Sequence, residues 1–233
     1  MKPFFSASGL YITFLYVSLS MISCSPEYVP NMVNTPMFDE KGELQANLSG
    51  GVSGTDVQLG YAISNHLGVM ANGSFREETS DTSKEFHKHD LYELGIGYYD
   101  HIGRLGRYEI FGGLGTGRIS GYNESWLDDP VGEARFFKIF VQPSVGLKSE
   151  VIDGNFATRW VLVQTEYSEG NVSGSSTFQP FFEPVLTGRV GFKYVKITSQ
   201  LGFSLPVGDQ IPFDYQPFIF SLGLHLNINI LGN

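Results

Sequence analysis

Phe218–Asn229 reads FIFSLGLHLNIN. Phe218, Phe220, Leu222, Leu224, Leu226 and Ile228 occupy every second position, with Ser221, Gly223, His225, Asn227 and Asn229 between them. A period of two is that of a β-strand whose faces meet different surroundings. The pattern recurs, so that strands are expected near 43–49, 54–63, 66–75, 89–100, 107–120, 134–148, 156–168, 180–193, 196–205 and 216–229. The second carries Val57, Leu59, Tyr61 and Ile63 on one face, and the fourth Tyr92, Leu94, Ile96 and Tyr98. The sixth offers Phe137, Ile139, Val141, Val145 and Leu147, the eighth Phe182, Leu186, Val190 and Phe192, and the ninth Ile197, Leu201, Phe203 and Leu205. In the seventh, Trp160 and Leu162 compete with Val161 and Val163 for the apolar face, which suggests a bulge.

Connections after even-numbered strands are short: Asn65, His101 to Gly106, an Asp153-Gly154 turn, and Tyr194-Val195. Those after strands 3, 5, 7 and 9 are long and polar; only the first on that side, around Gly50–Gly54, is short. The opposite strand face carries Asp56, Gln58, Glu93, Glu109, Lys138, Gln142, Arg189, Lys193 and Gln200, of both signs and able to pair across a narrow lumen. Short turns on one rim, long loops on the other and aromatic residues at both ends of an aliphatic band describe an antiparallel up-and-down transmembrane β-barrel. About ten strands are expected, eight being the alternative, in one all-β domain over 43–233. An even count puts both ends of the barrel on the short-turn rim.

Composition narrows the function. The chain has 233 residues, 28 of them Gly, with 19 Phe, 12 Tyr, one Cys and a net charge of −9. An acidic balance argues against nucleic acid, which selects a basic face, and one cysteine forms no internal disulfide. Mean hydropathy is near zero, as expected where strand alternation averages polar with apolar residues. Lys2 precedes an apolar stretch from Phe4 to Ile22, the pattern of a signal peptide over residues 1–23. It ends in Met21-Ile22-Ser23-Cys24, which resembles the lipobox of bacterial lipoproteins. The resemblance implies lipidation of Cys24, with residues 24–42 as an extended tether containing Pro26, Pro30 and Pro36.

In pattern, residues 43–229 resemble the small outer-membrane β-barrel proteins, the OmpX/OmpA-like class. The resemblance implies a Gram-negative bacterial outer-membrane location, with the N-terminus periplasmic and the long loops outside. Membrane lipid is then one partner, and the loops offer a surface to an extracellular or envelope protein. The end, Ile230-Leu231-Gly232-Asn233, departs from the terminal aromatic residue common in that class.

No catalytic, cofactor or metal site is expected. Gly112-Gly113-Leu114-Gly115-Thr116-Gly117 lies within a strand rather than before a helix, so it is no phosphate cradle. Gly95, Gly97, Gly113 and Gly115, on adjacent strands, mark instead a lumen wall that leaves room for bulky groups opposite. His87 and His89, near Asp81, Glu85 and Asp90, are expected to point to opposite sides and chelate poorly. His225 and Ser221 lie about 13 Å apart along a strand, too far for a nucleophile–base pair, although His225 could meet Ser199 or another residue across neighbouring strands. The expected protein is a lipid-anchored barrel with a side-chain-filled lumen and a structural or surface-interaction role. The alternatives are a narrow, porin-like channel, a barrel-borne lipid or peptide hydrolase, and a soluble lipocalin-like lipoprotein.

Overall fold

The computed structural model describes residues 26, 28–79, 86–122, 132–169, 172–208 and 213–231. Regular structure among them is all β: β1 Glu43–Gly51, β2 Gly54–Ala62, β3 Leu67–Thr79, β4 Phe86–Ile102, β5 Gly106–Tyr122, β6 Gly132–Leu147, β7 Ile152–Glu169, β8 Val172–Gly191, β9 Val195–Phe203, β10 Leu205–Pro206 and β11 Phe218–Asn229. Each strand pairs antiparallel with the next from β1 to β9; β11 lies between β9 and β1 and closes the sheet. β10 is the continuation of β9 past Ser204, since Gly202 opposite Val185 and Leu205 opposite Phe182 keep one register along β8. The result is a closed antiparallel barrel of ten strands, β1–β9 and β11, in a single domain. Closure pairs each strand on both sides through the body of the barrel, while β8 from Val172 to Gln179 has a ladder partner only in β7.

The alternation fixes the faces as expected. Leu94, Ile96, Ile139, Leu147, Leu186, Ile197, Leu222 and Leu224 point outward and are exposed, whereas Glu93, Glu109, Lys138, Gln142, Gln200 and Ser221 are buried in the lumen. β7 needs no bulge at Trp160–Val163. Trp160 and Leu162 face out while Val161 and Val163 face in, through unbroken pairing of Val161 with Phe140 and Phe181. The inward valines join Phe136, Phe140 and Phe181 in an apolar cluster that part of the lumen requires. The register shift falls instead between Glu166 and Ser168.

Several expected long loops are strand in part. β7 and β8 run to Glu169 and from Val172, leaving only residues 170–171 between them, and β3–β6 extend likewise. The wall from β4 to β8 therefore rises above its neighbours on the long-loop side. The β6–β7 turn lies at residues 148–151 rather than at Asp153-Gly154. Asp153 belongs to β7, where it points inward and binds Lys196 Nζ at 2.6 Å. Lys193, expected in the lumen, stands in the exposed β8–β9 turn, 5.4 Å above the Tyr194 ring.

The glycine-rich wall holds bulk, as expected. A Cβ at Gly113 would strike the Phe140 ring and the Leu94 carbonyl, and one at Gly97 the Phe111 ring. Gly60 and Gly68 make the same room for Phe38. Gly113→Val should therefore cost about 1–3 kcal/mol through overpacking, measured by urea titration of the refolded protein. Gly50→Val, at a site whose nearest non-adjacent atom is 4.0 Å from a Cβ, should change stability by much less.

Candidate functional site

The lumen is occupied by the chain's own N-terminal segment. Residues 28–38 are all buried. Within the stretch expected to be an extended tether, this segment runs through the barrel before turning at residues 39–42 into β1. Its prolines suit it to the extended state: Pro30 and Pro36 fix φ and have no N–H to satisfy. At one end Tyr28 forms a parallel bridge with Tyr215, in the connection between β9 and β11, donating its N–H to Asp214 O at 3.1 Å while its carbonyl accepts from Gln216 N at 2.9 Å. At the other end Phe38 packs on Tyr99, and Asp39 meets Arg107 and Lys148 beside the short turns.

An extended segment without sheet partners must find hydrogen bonds elsewhere, and here the wall supplies them from side chains. Arg159 Nη2 donates to Asn31 O at 3.1 Å, Gln58 Nε2 to Met32 O at 2.9 Å, Gln142 Nε2 to Asn34 O at 2.7 Å, Arg189 Nη2 to Thr35 O at 2.7 Å and Lys148 Nζ to Met37 O at 2.9 Å. Gln200 grips Val33 on both sides, accepting from its N–H at 3.1 Å and donating to its carbonyl at 2.5 Å. Asp56 and Glu109 accept from the N–H groups of Met32 and Phe38.

At the centre a row of alternating charges surrounds Asn31. Arg159 lies 2.6 Å from Glu183 and 3.3 Å from Glu93, and Glu93 lies 2.6 Å from Lys138, all four fully or almost fully buried. The Asn31 amide completes the row: Oδ1 accepts from Lys138 at 2.8 Å, while Nδ2 donates to Glu93 at 2.6 Å. Asn72 also donates to Glu93, and Tyr28 Oη and Ser204 Oγ donate to Glu183. Burying such charges is tolerable only when each is paired and its remaining lone pairs are used. That condition is met here.

Of the polar residues expected inside, Asp56, Gln58, Glu93, Glu109, Lys138, Gln142, Arg189 and Gln200 are there. Sequence reading missed Arg159 and Glu183, the middle of the charge row, although both share the inward parity of Val161 and Val185. It also missed the occupying segment, whose only signal was an apolar Tyr28–Phe38 composition unusual for a free tether.

His225 faces the lumen, but its register partners are Asn47 and Lys196, while Ser199 lies opposite Leu222, which points outward. The proposed meeting of His225 with Ser199 does not occur, because they belong to opposite faces. His87 and His89 lie on one face, with Nε2 and Nδ1 3.1 Å apart, as a period of two requires. The expectation of opposite sides is corrected. Asp81, Glu85 and Cys24 lie outside the described residues.

No protein-family model matches this chain, and no curated protein is a match for it.

Arg159→Met should cost about 3–5 kcal/mol, since it strands Glu183 and weakens the hold on Glu93 and Asn31. The double variant Arg159→Met/Glu183→Met should cost less than the two single changes added together, a comparison made by urea titration of the four proteins. At the rim, burial raises the Asp39 carboxyl, but Lys148 and Arg107 outweigh it and hold it below the ordinary 3.8. Its contribution is then complete above that value and lost as pH falls through the lower folded one. Stability measured from pH 6 down should fall less steeply in Asp39→Asn than in the parent.

Proposed function

We propose that this protein is an integral outer-membrane β-barrel lipoprotein, closed by its own N-terminal segment, with a structural or surface-interaction role and no catalysis. The observation that carries this reading is the inversion of the barrel: carboxylates, lysines and arginines are inside, and aliphatic side chains are outside. Leu94 and Leu147 are each 63 % exposed and Leu186 is 58 % exposed. In water a continuous apolar belt of this kind far exceeds the patch that a monomer ordinarily exposes. In a bilayer it is the surface that lipid requires, and a closed ladder is the β arrangement that leaves no backbone group unpaired there.

Three further features support it. Outward rings meet in pairs toward the rims, Tyr98 with Tyr108 on the short-turn side and Phe75 with Tyr92 on the other, as interfacial girdles do. The filled lumen favours a structural or adhesive role over conduction, with the long connections as the surface offered to an envelope or extracellular partner. Cys24 fits a lipid anchor, given the lipobox that precedes it.

The protein should stay in the membrane fraction through carbonate or urea washing, and its gel mobility should change on boiling. Leu222, 55 % exposed on the outer face, discriminates further. Leu222→Lys should cost about 2–4 kcal/mol in lipid and Leu222→Phe almost nothing, read from urea titrations in bilayers. Release by the wash, together with a harmless Leu222→Lys, would overturn the membrane reading.

A further inference from the structure

The path of residues 28–38 has a topological consequence. β1 begins and β11 ends on the short-turn rim, as the even strand count requires, but the chain before β1 has already crossed the lumen. It reaches the short turns at Asp39, beside Arg107 and Lys148, having come from the opposite rim, where Tyr28 is hydrogen-bonded to Asp214 and Gln216. Fully extended, residues 28–38 reach about 36 Å, enough to cross an apolar band of about 25 Å. Tyr28 is fixed at its end by more than the bridge. Its ring lies 4.7 Å from that of Phe181 and 5.9 Å from that of Phe136, and its hydroxyl binds Glu183.

The geometry points to a barrel that carries its own N-terminal end through the membrane, so that this end, and any acyl anchor on Cys24, lies on the long-loop side. This inference rests on the membrane reading above and reverses the expectation of a periplasmic N-terminus. Cys24 precedes Tyr28 by four residues, at most about 14 Å of chain. The lumen that it would have to re-enter is filled by the segment itself. With the long loops outside, a lipid on Cys24 enters the outer leaflet, and the lipid, the Tyr28–Tyr215 bridge and the loops form one external face. The segment must be in place before β1 and β11 pair, because an acylated end cannot thread a closed, filled barrel.

Single cysteines test this by labelling whole cells with a membrane-impermeant maleimide, with the parent chain as background. Pro26→Cys marks the N-terminal end, Asp214→Cys the long-loop rim and Glu150→Cys the short-turn rim; Asp214 and Glu150 are exposed. All three must label fully when denatured. Pro26→Cys and Asp214→Cys are expected to label on intact cells, and Glu150→Cys only after the outer membrane is permeabilised. Labelling of Asp214→Cys on intact cells while Pro26→Cys follows Glu150→Cys would overturn the threaded path and leave the barrel reading standing. Labelling of Glu150→Cys alone on intact cells would overturn the external placement. Loss of the protein from carbonate-washed membranes would instead remove the membrane reading itself.

Discussion

The grip of wall side chains on the backbone of residues 31–37 is the interaction on which the rest of this structure depends. A barrel of about eight strands can be filled by side chains alone, and each added pair of strands widens the interior. Ten strands leave a bore that side chains from the wall do not fill. The chain solves this with a length of itself, and the solution has a condition. An extended segment has unused N–H and C=O groups along its whole length, and burying them unpaired would cost more than the packing gains. Arg159, Gln58, Gln200, Gln142, Arg189 and Lys148 meet that condition one carbonyl at a time.

This explains why so polar an interior is a packed one. Glu183, Arg159, Glu93 and Lys138 alternate in sign, so each buried charge has an opposite neighbour, and Asn31 presents a donor and an acceptor to the same row. Main-chain recognition tolerates many sequences, whereas side-chain contacts of the segment fix its register: a shift by one residue would place Pro30 or Met32 against the charge row in place of the Asn31 amide, and would part Asn34 from Asn72 and Tyr28 from Glu183. Above and below the row, aromatic side chains take over, Tyr28 with Phe136 and Phe181 on the long-loop side and Phe38 with Tyr99 and Phe111 on the other. Glycines opposite Phe38, Phe111 and Phe140 give these rings their space.

Much of this was legible in the sequence. The two-residue period needs no tertiary knowledge, because side chains alternate across any strand; it gave about ten strands with eight as the alternative, their antiparallel order, and the apolar face of all but the seventh, where Trp160 and Val161 competed. Glycines in adjacent strands, at Gly95, Gly97, Gly113 and Gly115, were legible as a wall thinned for bulk. Strand ends were less so, since β7 and β8 continue through Ser, Thr and Gly residues that read as loop, held there by pairing rather than by propensity.

What the sequence by itself determined is thus local and periodic: the strands, their faces, the sidedness of the turns and the polar character of the interior. The tertiary structure alone decided what the interior contains. Residues 28–38 have no period and no partner of their own, so their place depends on a lumen that exists only after distant strands close around them. The charge row depends on the same closure, because Glu93, Lys138, Arg159 and Glu183 lie on β4, β6, β7 and β8, and only the curvature of the sheet brings them to one point.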